Sequence, residues 1–267
     1  SAPYENLDSD SHLGLELELY HKNKVGEFSY EVKTMMSVTR QKHLVASQNG
    51  GYGNSYDKWR HDNLNNRYQG VQFGYEAAGR YESWEDIWSY DIYKENNLLP
   101  GDYKYLDWNG DGEINGYDAH PIAFDQTPWM NYSLSFSLAW KGLDFSMLWQ
   151  GSALGSMKYS EPLYNIWGST GGGTLVQYLD RWHPTETGAD IYDPETEWIP
   201  GYYGFTGHYP DENSSFNRVS TAFLRLKSVE VGYTIPKFKK AQNFSLRVYA
   251  NAYNPVTITA VKFVDPE

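Results

Sequence analysis

The stretch WMNYSLSFSLAWKGLDFSMLWQG, residues 129–151, decides the fold. From Tyr132 the residues alternate: Tyr132, Leu134, Phe136, Leu138 and Trp140 point one way, and Ser133, Ser135, Ser137 and Ala139 the other. A period of two is the mark of a β-strand. Lys141-Gly142 makes a two-residue turn, after which Leu143, Phe145, Met147 and Trp149 alternate with Asp144, Ser146 and Gln150. A loop of that length pairs Trp140 with Leu143, Leu138 with Phe145, Phe136 with Met147 and Leu134 with Trp149. All the large apolar side chains then share one face, and the other face is small or polar except at Leu148. In a soluble sandwich that second face would carry Lys and Glu rather than a row of Ser. In an outer-membrane barrel it lines the lumen while the apolar face meets lipid, and each arm has the ~9–11 residues that a tilted strand needs to cross a bilayer.

Composition is consistent with this reading. A mean hydropathy of -0.67 looks too polar for helical spans, and no apolar run approaches the ~20 residues that one needs, but a barrel alternates lipid-facing with lumen-facing residues and adds polar loops. The first ten residues are polar, without the apolar core of a signal peptide. Aromatic residues make up 17% of the chain, with 24 Tyr and 10 Trp, which suits interfacial girdles, carbohydrate stacking or a large all-β core. A net charge of -12 argues against nucleic acid as a partner. The absence of cysteine excludes disulfides and thiolate chemistry.

The same design recurs on either side. Leu13, Leu15, Leu17 and Leu19 alternate with Glu16, Glu18 and Tyr20; residues 22–27 read as a turn; Phe28, Tyr30, Val32, Met36 and Val38 return. A third hairpin puts Val229, Val231, Tyr233 and Ile235 on one face, turns over residues 236–243, and returns with Phe244, Leu246 and Val248. Leu224 and Leu226 are out of phase with Val229, which implies a bulge near Ser228 or a strand top above the lipid. The hairpins are thus placed at about 12–39, 130–151 and 222–254, joined by long loops at about 40–129 and 152–221. Short helices are expected at residues 83–88, where Ser83 is the N-cap, and at 175–182. All the short turns fall at one end and all the long loops at the other, as in bacterial outer-membrane barrels.

Residues 107–118, DWNGDGEINGYD, fit a twelve-residue cation loop. Asp107, Asn109 and Asp111 put side-chain oxygens at positions one, three and five, Gly112 permits the sharp turn at six, Glu113 offers its carbonyl at seven, and Asp118 closes the shell at twelve. A structural calcium ion, or magnesium, is the expectation; the alternative is a turn rich in Asp, Asn and Gly that holds no metal.

With these residues in view, the chain resembles the C-terminal barrel half of SusC/RagA-family TonB-dependent outer-membrane transporters. The resemblance is carried by GRYESWEDI (79–87), PGDYKY (100–105) running into the cation loop, WKGLDFS (140–146) with Gln150-Gly151, DRWHP (180–184), FLRLKSV (223–229), GYTIP (232–236), LRVY (246–249) and DPE (265–267). One departure is Asn254-Pro255-Val256 where the family usually has Asn-Leu-Phe. The resemblance implies an antiparallel transmembrane β-barrel segment in the bacterial outer membrane. The plug, the TonB box and the earlier strands would lie elsewhere in a longer protein. It implies import of oligosaccharides or peptides, driven by TonB, under a SusD-like surface lipoprotein, with no catalysis. Trp84, Trp88, Trp167, Trp182 and Trp198 fall in the loops, where they would stack on substrate, contact the lid or pack the loops together.

The other reading is a soluble calcium-stabilised β-sandwich that binds carbohydrate. A glycosidase would need two placed carboxylates; Glu16 with Glu18 and Glu85 with Asp86 are pairs expected by chance in a chain with 34 acidic residues. The seven His show no metal-ligand spacing, and Gly171-Gly172-Gly173 lacks the Lys that a phosphate loop needs.

Overall fold

The two arms of the quoted stretch pair as their alternation requires: Trp140 lies opposite Leu143, Leu138 opposite Phe145, Phe136 opposite Met147 and Leu134 opposite Trp149. Lys141 and Gly142 both take positive φ, 50° and 86°, the geometry that matches a two-residue turn to strand twist. The computed structural model describes residues 7–47, 64–90, 97–160, 163–165, 175–235, 245–262 and 265. Six long strands form one antiparallel meander in sequence order: β1 (Ser9–Val25), β2 (Phe28–Val45), β3 (Met130–Trp140), β4 (Leu143–Ala153), β5 (Phe223–Ile235) and β6 (Leu246–Thr259). A short strand, Arg67–Tyr68, adds to the far end of β2.

The first hairpin is longer and tighter than its sequence suggests. Residues 22–25 are strand, not turn, because Gly26 adopts φ 61° and lets Gly26-Glu27 alone reverse the chain, with Val25 opposite Phe28. The turn at 236–243 lies outside the described residues, except that β6 is in place from Leu246.

Register then carries the apolar face across all six strands. One row runs Leu19, Thr34, Leu134, Trp149, Leu226, Val256, and the next His21, Val32, Phe136, Met147, Val229, Ala252. Leu226 stays on this face because the register shifts between Leu226 and Ser228, absorbing Lys227 as a bulge. The shift is met on β6 at Asn254-Pro255, where Asn254 has φ 51°. Proline has no N–H to give a ladder, so it belongs at such an irregularity. The departure from the expected Asn-Leu-Phe is therefore compatible with a strand.

The opposite face carries the serines. One of its rows reads Lys22, Glu31, Ser137, Ser146, Glu230, Asn251. Arg247 on β6 reaches past Gly232 to Asp144 on β4 and also pairs with Glu230. A Cβ at Gly232 would meet both Arg247 and Asp144, so the bare backbone there is what lets the ion pair span three strands. This face is also the hollow one, with recesses of about 670 and 320 Å³ over its strands.

Burial is inverted relative to a soluble domain. The apolar face is open to its surroundings, with Leu13 73% and Val248 60% exposed. Tyr81, Leu99, Tyr103, Tyr105, Tyr178 and Trp182 are buried, and all belong to the long loops. A sandwich would stack a second sheet on the apolar face; among the described residues the other four ladders are two-stranded and join loop segments. The chain is an all-β partial barrel with a structured loop layer at one end.

Candidate functional site

The two long loops fold into each other. Tyr75 is tied across them at both backbone groups: the Ser215 amide donates to the Tyr75 carbonyl at 3.0 Å, and the Tyr75 amide to the Asn213 carbonyl at 2.9 Å. Tyr103 and Tyr105 project from the short strand Tyr103–Tyr105 onto Phe216, edge-on at 4.8 and 6.0 Å. Their hydroxyls accept from the amides of Gly204 and Asp211. Arg80 lies over the Tyr103 ring and donates to the carbonyls of Gly101 and Tyr202. Asp102, buried, accepts from the Leu99 amide at 2.8 Å and meets His208 Nδ1 at 2.9 Å. Gly101, at φ 94°, lets the chain pass directly over Trp182.

This tyrosine core has a pH consequence. Burial holds the Tyr81 phenol up at about 12, and raises Tyr103 and Tyr105 as well. A phenol held neutral by folding favours the folded layer below its ordinary value near ~10, and that contribution is lost as pH climbs through the folded value. Tyrosinate absorbance should therefore show a late group of phenols that ionise only at strongly alkaline pH, together with onset of tryptic cleavage in the loops. Ionisation of every tyrosine in one step near the ordinary value would contradict the packing.

The five tryptophans expected in the loops separate. Trp84 opens the short helix α1 (Trp84–Ser89), with Ser83 as N-cap accepting from the Asp86 amide. Burial would raise the Asp86 carboxyl, but Lys104, 2.5 Å away, and the Glu82 amide outweigh it and hold Asp86 below the usual range. Trp88 stands 66% exposed beside Trp84. Trp182 is buried against Gly101, and Trp198 packs edge-on against Phe205 at 5.6 Å. Trp167 lies outside the described residues. The helix expected at 175–182 is a shorter 3-10 turn, Val176–Leu179, that buries Tyr178.

The 107–118 loop is ordered by its own carboxylates. Asp107 accepts from the amides of Gly110, Asp111 and Gly112, at positions four to six, and these bonds hold its pKa below the usual range. Gly112 has φ 85°, the conformation position six demands. Asp118, buried, accepts from Trp108, Asn109 and Asn115, and its carboxyl also lies against that of Asp107. Asp111 is engaged with Asn109 and the Glu113 amide. Positions one and twelve have thus come together. Among the described residues no three His, Cys, Asp or Glu side chains form a metal-holding group.

One set of residues escaped the sequence reading. A hollow of about 740 Å³ opens between residues 65–73 and residues 108 and 119–121. Trp108 stacks on His120 at 3.8 Å and 13° on one side, and Arg67 lies over Phe73 on the other. Trp108 sits at the second position of the cation loop, which points its side chain away from the would-be ion. That was the available signal.

No family model and no curated protein sequence matches the chain. Solved structures do. The chain aligns with the RagAB peptide transporter at TM-score 0.64 and 18% identity. It aligns with the RagAB peptide importer in its "closed-closed" state at 0.62 and 19%, and in its "open-open" state at 0.61 and 19%. The chain has the fold of part of a RagAB chain. Each alignment covers 98% of this chain and 27% of the other, so the sequence spans about a quarter of the length of the structures it matches.

Proposed function

We propose that this chain is a wall segment and loop layer of an outer-membrane importer for peptides or oligosaccharides, working with TonB and under a SusD-like surface lipoprotein. The observation that carries the proposal is the apolar face running in register across six strands and left uncovered by the described residues, which suits contact with lipid. The serine face is then the lumen, and the loop layer the extracellular side. Peptides are favoured over oligosaccharides because the structures of like shape are a peptide transporter and importer and because Glu31, Glu230, Asp144 and Arg247 give the lumen wall charges of both signs. The hollow walled by Trp108, His120, Arg67 and Phe73 is the proposed ligand contact. The calcium-stabilised sandwich reading is disfavoured by a sheet of a single layer.

The test is uptake. Cells carrying the full-length protein should accumulate labelled peptides, with loss on TonB deletion, and a tagged protein should bring down a surface lipoprotein. Uptake unchanged on deleting the gene, or recovery of the protein in the soluble fraction, would refute it.

For the 107–118 loop we propose a structural calcium or magnesium ion held by Asp107, Asn109, Asp111, Glu113 and Asp118. The paired carboxyls of positions one and twelve and the φ of Gly112 support it. The expected result is that calcium slows cleavage within residues 107–118 by a protease of broad specificity in the full-length protein. Asp107→Ala with Asp111→Ala should abolish that protection while leaving strand pairing intact. Identical cleavage with and without chelator would leave the amide-held turn as the whole account.

A further inference from the structure

Arg40 and Lys42 follow Val38 on the apolar face of β2, opposite Leu13 and Ser11 of β1. Phe28 to Val38 spans the eleven residues paired with β3, about what a bilayer core requires. The two cations therefore stand in the first rows beyond the apolar band, at the long-loop end. Aromatic rings frame them: the Arg40 guanidinium lies 3.3 Å from the Tyr68 ring centre and 4.0 Å from that of Trp129, and Lys42 Nζ is 5.5 Å from Tyr68.

Three other basic side chains of this hairpin have acidic partners. Lys22 pairs with Glu31 and Lys33 with Glu18, both on the serine face, and His43 pairs with Asp10. Arg40 and Lys42 take part in no ion pair among the described residues, and Arg40 Nε is buried there without an acceptor. Two rings hold the guanidinium plane and strip water from its faces, leaving its N–H edge as the route to an anion.

We propose that Arg40 and Lys42, framed by Tyr68 and Trp129, bind the phosphate of an outer-leaflet lipid head group. The occupant follows from position. The site is continuous with the face assigned to lipid, one row beyond it, where head groups lie, and phosphate offers the paired oxygens that an arginine fork takes. The inference rests on the membrane reading above. It adds a fixed lipid that holds the loop layer down on the bilayer through Tyr68 and Trp129.

The experiment reconstitutes the full-length protein in phosphatidylcholine vesicles containing a minor fraction of lipid A, then exchanges it into detergent and weighs it intact to count retained lipid A. Wild type should keep lipid A. Arg40→Ala with Lys42→Ala should retain about tenfold less, the loss of one charge-assisted pair, and Lys22→Ala on the serine face should match wild type. Lys42→Ala alone, which leaves the stacked arginine in place, should give an intermediate loss and covers the case in which the double variant misfolds. Wild-type retention by either Arg40→Ala with Lys42→Ala or Lys42→Ala, in trypsin-resistant protein, would overturn the proposal. So would release of lipid A from wild type by inorganic phosphate, which would make the site one for the free anion. If wild-type protein does not enter vesicles at all, the membrane reading has failed first, and this inference falls with it.

Discussion

Replacing Trp182 with alanine should unhook the two long loops from each other at a cost of about 3–5 kcal/mol, the range for emptying a buried tryptophan site. The side chain is 7% exposed, and the neighbour that passes directly over it, Gly101, has no side chain with which to refill the space. The loss should stay within the layer. Urea unfolding of the full-length protein in detergent should show an early loop transition, read by tryptic cleavage between residues 97 and 110, while the sheet's far-ultraviolet signal holds. A single unshifted transition would show that Trp182 is not part of a loop core. Trp88→Ala is the control. It removes an equally large ring from a site 66% exposed, and should leave stability within experimental scatter while remaining free to affect a partner.

Placing arginine at Phe136 should cost about 2–4 kcal/mol in a membrane, and placing it at Ser137 very little, although the two are neighbours on β3. Phe136 sits in the apolar row between Val32 and Met147, and Ser137 in the polar row between Glu31 and Ser146. An arginine at 136 would be driven into hydrocarbon near the middle of the strand; one at 137 would point into the lumen beside Glu31. Urea midpoints of the two variants in vesicles give the comparison. Equal costs would mean that both faces meet the same solvent, and the barrel assignment would have to be abandoned.

Both experiments separate what a local pattern encodes from what it leaves open. The Phe136 and Ser137 contrast was legible beforehand, because alternation assigns each residue a face and a two-residue turn sets the register of its hairpin. The fate of Trp182 was not. DRWHP reads equally as a surface turn or a core segment, and the partner that buries it, Gly101, lies some eighty residues away. The tryptophans of the loops looked alike in sequence and came apart in space: Trp182 inside, Trp198 against Phe205, Trp88 outside. Arg40 and Lys42 were readable as strand residues, but their aromatic frame comes from Tyr68 and Trp129, which only the return of the loop brings near.

By itself the sequence determined the class of the fold, the two faces of the central hairpin and the tight Lys141-Gly142 turn, consequences of a period of two and of turn chemistry acting over a few residues; at Ser228 it left a bulge and a strand top above the lipid both open, and the register shift decided for the bulge. Only the tertiary structure decided that β2 pairs with β3 across the whole first loop and β4 with β5 across the second, that Gly232 opens the way from Arg247 to Asp144, and that the two loops share one tyrosine core. The physical reason is range: side-chain alternation is fixed by the backbone pleat residue by residue, whereas contacts between distant segments depend on which closed arrangement buries the most ring and satisfies the most amides, and no short window of sequence carries that sum.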